Sequence, residues 1–398
     1  MGRRDQRQRR QRSRLVIGAS VAAAAGLAVS AAFAFGGGGS SSGVKTAATS
    51  TSSTSTTTTL PPTTTTTLPP IPSSSLTLTL LRRVTGAIAP KSVVASGGGL
   101  VFAQNMMYRH TVTVYDRDGN LVATIPDSVQ YLTGTVQGAP VEAAFSPDGR
   151  FAYVSNYSMF GPGYTHQGAD ACGPGDGIDN SLVYRIDTTT LGIDSRIAVG
   201  QVPKYVAVTP DGRYLLVTNW CSFDMSVVDT VTNLEVKRVP LGPTPRGIAV
   251  DPTSRFAYVA VMGTSDVAIV DLTTFAVDWI RGVGSGPRHI VRDPTGQFLY
   301  VTLNGADQVV KIDTASRTVV ARVSTGSEPR SMDIAPDGHS LYVVNYNSNT
   351  VTKVRTSDMV VIQTVSTGTH PIGITYEPTA KRVWVACYAG EIIVFNDA

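Results

Sequence analysis

Five prolines, Pro203, Pro245, Pro287, Pro329 and Pro371, stand 42 residues apart, and each opens the same pattern. Pro90 and Pro140 open two longer versions, so the chain carries seven units. The third unit is typical. Pro203-Lys204-Tyr205-Val206-Ala207-Val208 reads as a short strand. Pro210-Asp211-Gly212 then reads as a tight turn, in which proline presets φ, aspartate bonds its own backbone and glycine takes positive φ. Residues 214–219 make a second strand, 226–229 a third and 234–241 a fourth. The turn recurs at Pro147-Asp148-Gly149 and Pro336-Asp337-Gly338, and in looser form at Pro252, Pro294 and Pro378. No unit holds a 3.6-residue periodicity long enough for a helix. Four short strands per unit at a period just over 40 are the pattern of propeller blades. The last unit stops after its third strand, 392–395. Residues 76–84 have the pattern of a fourth strand, so the first strand is expected to complete the last blade and close the ring.

Within this frame, Tyr153-Val154-Ser155-Asn156 and Leu216-Val217-Thr218-Asn219, followed by Ser226-Val227-Val228-Asp229-Thr230, resemble the YVTN β-propeller repeat family. The resemblance covers all seven units and implies an all-β, seven-bladed propeller over residues 76–398. For function it implies a range, since surface-layer, binding and lactonase-like proteins share the repeat; fold alone does not choose among them.

The first 75 residues read differently. Residues 1–14 carry seven arginines against Asp5, and an apolar run follows to Phe35. This is the layout of a secretory signal, with Ala32-Phe33-Ala34 as a cleavage site after Ala34. The run is also long enough for an uncleaved signal-anchor, and residues 1–35 fit both readings. Either way the remainder is expected outside the cytoplasmic membrane, secreted or anchored at the membrane or cell wall, with membrane contact only through this segment. Residues 36–75 are rich in Gly, Ser, Thr and Pro and read as a disordered stalk. The chain's formal charge is +4, so without the arginine head the remainder is net acidic. That counts against nucleic acid as the natural partner.

In four-stranded blades, the segments entering the first strand and leaving the second share one face. The Pro-Asp-Gly turns and the turns after the third strands share the other. Both length insertions, 125–140 and 157–180, fall on the first face, where binding is expected. The sequence places four sets of candidates there. The residue after each opening proline is Lys91, Val141, Lys204, Arg246, Arg288, Arg330 and Ile372, five of seven basic. With Glu142 and His289 they form a candidate channel mouth for a small anion. The plain alternative pairs them with Glu142, Asp251, Asp293 or Glu328. Tyr157, Trp220, Tyr346 and Tyr388 follow second strands, and Tyr164 lies in the excursion. These aromatics suit a glycan or peptide, or pack between blades. Asp170, Asp176 and Asp179 in the Gly-rich excursion are candidate Ca²⁺ ligands, the one cofactor the sequence suggests. Cys172 and Cys221 lie in corresponding loops of neighbouring units and are expected to form a disulfide, leaving Cys387 a buried thiol.

No nucleophile elbow, phosphate loop or zinc-binding helix motif is present. The aspartates Asp116, Asp187, Asp229, Asp271 and Asp313 fall in turns and are expected to cap backbone amides rather than act in catalysis. The leading expectation is a monomeric, non-catalytic binding or display propeller whose partner is a small anion, a glycan or a protein. The alternatives are an exported lactonase-like hydrolase or lyase, for which Glu142, His289 and an arginine should meet in the mouth, and a protein–protein module, for which the face should be flat and aromatic.

Overall fold

The computed structural model describes residues 69–131 and 133–398. The expected signal, and the stalk as far as residue 68, lie outside the described residues. From Leu78 onward the chain builds seven antiparallel sheets. Six hold four strands and one holds five. The first strands of successive units touch one another in a closed circuit, Ser92–Ala95, Gly134–Phe145, Pro203–Val208, Pro245–Val250, Pro287–Arg292, Pro329–Ile334 and Pro371–Glu377. They line the central channel, and the chain is a seven-bladed β-propeller.

The apolar repeat exists because each blade is buried on both faces. In the second strand of blade 3, Leu216 packs with Val259 of blade 4, and Leu215 and Val217 pack with Tyr153 and Val183 of blade 2. One such cluster fills each of the seven gaps between blades. The asparagine ending the second strand also has a task. Asn219 Nδ2 donates to Asp224 at 2.7 Å and Ser226 at 2.9 Å, and Asn345 Nδ2 donates to Thr350 at 3.0 Å and Thr352 at 2.8 Å. It ties the second strand to the third. The turn aspartates cap amides as expected: Asp229 accepts from Val231 and Thr232, and Asp271 from Thr273 and Thr274.

The ring closes as its last unit requires. Leu78–Thr85 pairs antiparallel with Glu391–Asp397, from Leu78 opposite Asp397 to Thr85 opposite Glu391. The bound segment starts earlier than the sequence boundary at residue 76. Ser73–Ser75 forms a 3-10 turn, and the Ser73 amide and hydroxyl both donate to the Asp337 carboxylate at 2.7 Å. The chain therefore enters the ring over the Pro336-Asp337-Gly338 turn, on the face opposite the long loops.

Blade 2 departs from the expected pattern. The 125–140 insertion is not an irregular loop but a hairpin, Ser128–Tyr131 against the start of Gly134–Phe145. Its edge lets the second strand continue through Phe151–Phe160, with Gln137 opposite Phe160. The excursion thus begins at Gly161 rather than Tyr157, because the hairpin supplies the backbone partners.

Candidate functional site

A bulge in the first strand follows the opening proline in several blades, for example between Pro203 and Tyr205 and between Pro287 and His289. It presents the next two side chains to the channel in two layers. Lys91, Lys204, Arg246, Arg288 and Arg330 form the outer layer and line one cavity of about 790 Å³. Lys204 and Arg288 are only 5% and 7% exposed, so basic groups are packed into a shared, desolvated space. The cavity walls include one repeat position, the residue after the second-strand motif of each unit: Met106, Tyr157 (within the lengthened strand of blade 2), Trp220, Met262, Asn304, Tyr346 and Tyr388. Four of these seven are the aromatics singled out by type. The other three were missed, although they hold the same position in the repeat; that column, rather than aromatic character, was the usable signal.

The cations fall into two groups. Lys204 Nζ bonds Asp170 at 2.9 Å and sits over the Tyr157 and Trp220 rings at 4.2 and 5.0 Å. Arg330 bonds Glu328 at 2.9 Å and stacks on Tyr346 at 3.5 Å. For these two, partnership replaces hydration. Lys91, Arg246 and Arg288 have no carboxylate within salt-bridge distance among the described residues, so of the alternative pairings Arg330 with Glu328 forms and those with Asp251 and Asp293 do not. The hydrogen bond of Arg288 is to Met262 Sδ, at 3.9 Å.

Crowded, desolvated like charges disfavour the protonated forms. Burial, then Arg246 and Arg288, pushes Lys91 well below the ordinary lysine range. Burial and Arg246 bring Lys204 down to about 7 against the pull of Asp170. Burial and Arg330 lower Arg246 to about 10, and Arg288 is lowered by burial and Arg246. For Asp170, burial acts to raise the carboxyl, but Lys204 and Tyr157 outweigh it and hold the group at about 2.

The second layer holds Glu142, Tyr205, His289 and Ser331 at a constriction of about 20 Å³, below which a cavity of about 350 Å³ opens to the turn face. Burial raises Glu142 to about 7, against the Ser92 hydroxyl that donates to it and the Lys91 charge. His289, 9% exposed, is lowered to about 3 by burial and by Arg246 and Arg288, so its imidazole is neutral. Its Nδ1 lies 3.3 Å from Ser331 Oγ. Glu142, His289 and three arginines therefore share one lining.

The remaining candidates separate. Cys172 and Cys221 form a disulfide with Cα atoms 5.3 Å apart, and Cys387 is a buried thiol. The bond holds the excursion against blade 3, where Trp220 Nε1 donates to the Asp170 carbonyl at 3.0 Å. Tyr164 is not at the mouth; it stacks on Tyr131 at 6.4 Å against the hairpin cluster. The three excursion aspartates do not converge. Asp170 goes to Lys204, Asp176 caps the Gly173 amide at 2.8 Å, and Asp179 caps Thr165 and His166 at 2.6 and 2.7 Å. Among the described residues no group of three or more His, Cys, Asp or Glu is arranged to hold a metal ion.

The fold and its mouth define a seven-bladed propeller with a concave, cation-lined cavity on the face that carries the insertions. Residues 233–359, from the fourth strand of blade 3 to the last turn of blade 6, match the family described as "Lactonase, 7-bladed beta-propeller". A chain of Kuenenia stuttgartiensis hydrazine synthase is similar in structure, with a TM-score of 0.63 over 79% of this chain and 97% of that one. At 19% identity that likeness concerns the fold alone. No curated protein matches the sequence. The disulfide fits an oxidising compartment. Among the described residues no helix is long and apolar enough to cross a membrane.

Proposed function

We propose that this protein binds a small anionic molecule in the mouth of the propeller, outside the cytoplasm. One observation carries the reading: Lys91, Arg246 and Arg288 meet in a single cavity and, among the described residues, none of them has a carboxylate within salt-bridge distance. Desolvated, mutually repelling cations are unfavourable by themselves and become favourable around an anion. Export is supported by the arginine-headed apolar segment and by the disulfide. Isothermal titration of the full-length protein with inorganic phosphate and with citrate tests the reading. Saturable binding that weakens with salt and falls at least about tenfold in Arg246→Ala and Arg288→Ala is expected. Absence of heat with both anions, confirmed by an unchanged melting temperature, would refute it.

A second reading, lactone hydrolysis, is favoured by the match over residues 233–359 and by Glu142. A carboxyl raised to about 7 is balanced to take a proton from water near neutral pH. The hydroxide equivalent would add to the ring carbonyl, and Arg246 or Arg288 would stabilise the oxyanion. The ring C–O bond would then break, and the leaving alkoxide would recover the proton. Release of acid from a lactone panel, followed in a pH-stat, decides this. Glu142→Gln should abolish turnover while keeping anion binding; equal turnover by that variant would exclude Glu142 as the base.

A further inference from the structure

The outer ring is unevenly occupied, and the imbalance follows the blades. Lys204 of blade 3 is filled by Asp170 and two aromatic faces. Blades 1, 2 and 7 offer one cation, Lys91, between the apolar Val141 and Ile372. Blades 4 and 5 present the guanidinium groups of Arg246, which lies over the Trp220 ring at 5.6 Å, and Arg288, neither with a carboxylate within salt-bridge distance among the described residues.

The same cavity is lined by Asn304, at the position where blades 2, 3, 6 and 7 carry an aromatic. Its backbone amide donates to Gly286 O at 2.9 Å. Its side-chain Nδ2 is buried and has no acceptor among the described residues, although the residue lines the cavity. The Arg330 Nε on blade 6 is likewise a buried donor without acceptor in the same wall. Both donors belong to residues of the wall that carries Arg246 and Arg288, so an acceptor oxygen entering there would pair donors that now lack one. Met262, against Arg288, closes the site on one side with sulfur rather than oxygen.

We propose that the mouth takes the oxyanion head of its ligand in the sector of blades 4 to 6, between Arg246, Arg288 and Asn304, with Asn304 Nδ2 as the neutral donor that fixes the head's orientation. The inference rests on the anion-binding reading above and sharpens it: Lys204, already bound to Asp170, stands outside the site. Planar guanidinium forks and an amide suit a carboxylate or a phosphate, and both offer the same acceptor chemistry.

The test compares Asn304→Leu with the paired variant Lys204→Met/Asp170→Asn, which removes one charge of each sign. Each full-length protein is titrated with inorganic phosphate and with citrate. Asn304→Leu should weaken the tighter-binding anion about tenfold, the effect of losing one hydrogen bond to a charged group, and the paired variant should stay within about threefold of wild type. The tighter anion identifies the head as phosphate or carboxylate. If Asn304→Leu unfolds, Asn304→Ser with its shorter donor replaces it, and a smaller loss in the same direction is expected. Wild-type binding with full affinity in the Asn304 variant, or an equal loss in the paired variant, overturns the sector assignment but leaves anion binding standing. No wild-type binding overturns both.

Discussion

Removal of the Asp397 carboxylate should open the ring at its seam. Asp397 lies on the last strand of blade 7, directly opposite Leu78 of the closing strand. Its carboxylate accepts from Lys353 Nζ and from the Tyr342 hydroxyl, both on blade 6. Lys353 Nζ also donates to the Leu76 carbonyl at 2.8 Å. Lys353 and Asp397 side chains are both 0% exposed. One buried pair therefore joins blade 6, the end of the chain and the segment leading into its first strand. Asp397→Ala leaves an ammonium in the core without a counter-charge, which costs about 3–5 kcal/mol. It also strips the acceptor from a buried tyrosine, adding roughly 1–3 kcal/mol. Lys353→Met should cost a similar amount by isolating the carboxylate. The double variant Lys353→Met/Asp397→Leu removes both charges and should recover most of the loss, since an apolar replacement of a buried pair is often neutral or stabilising. Urea unfolding of the four full-length proteins, followed by tryptophan fluorescence, gives the cycle. Single variants within about 1 kcal/mol of wild type, or a double variant as unstable as the sum of the singles, would refute the claim that this pair holds the seam.

Other outcomes follow from the same structure. Cys172→Ser or reductant should lower stability by about 4 kcal/mol, from the loop entropy released when a cross-link spanning 49 residues is lost; a loss below about 1 kcal/mol would mean that the excursion is held by its other contacts. Stability should pass through a minimum between about pH 7 and 8. Burial raises Asp333 to about 6, Glu142 to about 7 and Asp127 to about 8, so the folded state binds more protons than the unfolded and stability falls as pH rises through this range. Above about 7 the unfolded Lys204 keeps a proton that the folded one has lost, and stability rises towards pH 10. Urea midpoints at pH 5, 7.5 and 9.5 check this, and a single-signed slope would contradict it. Gly373→Ala should cost about 1–3 kcal/mol, because a Cβ there would stand 2.7 Å from the Ser92 Cα on the neighbouring inner strand; an unchanged melting temperature would show that the inner strands yield at no cost.

The repeat fixed the fold because its information is local and redundant. Each unit spells out strand, turn and strand with residues whose backbone preferences agree, as at Pro210-Asp211-Gly212, and seven copies leave little room for another architecture. The ring closure was legible for the same reason: the last unit lacked a strand and residues 76–84 had that strand's pattern. The Cys172–Cys221 bond followed from corresponding loops on adjacent blades. Blade 2 was misread where the repeat is interrupted, since the hairpin over Ser128–Tyr131 depends on pairing that no period announces.

The site divides in the same way. Sequence alone gave the ring of basic residues, because its spacing is imposed by the repeat. It could not tell Lys204, neutralised by Asp170 from 34 residues away, from Arg288, whose hydrogen bond is to a methionine sulfur. Nor could it show that Asp251 and Asp293 stay away from the ring, that Tyr164 packs against the hairpin, or that Asn304 holds an unpaired donor. Those distinctions are relations between different blades. They exist only once closure brings distant units to within a few ångströms, where desolvation and charge decide which groups are satisfied and which still lack a partner.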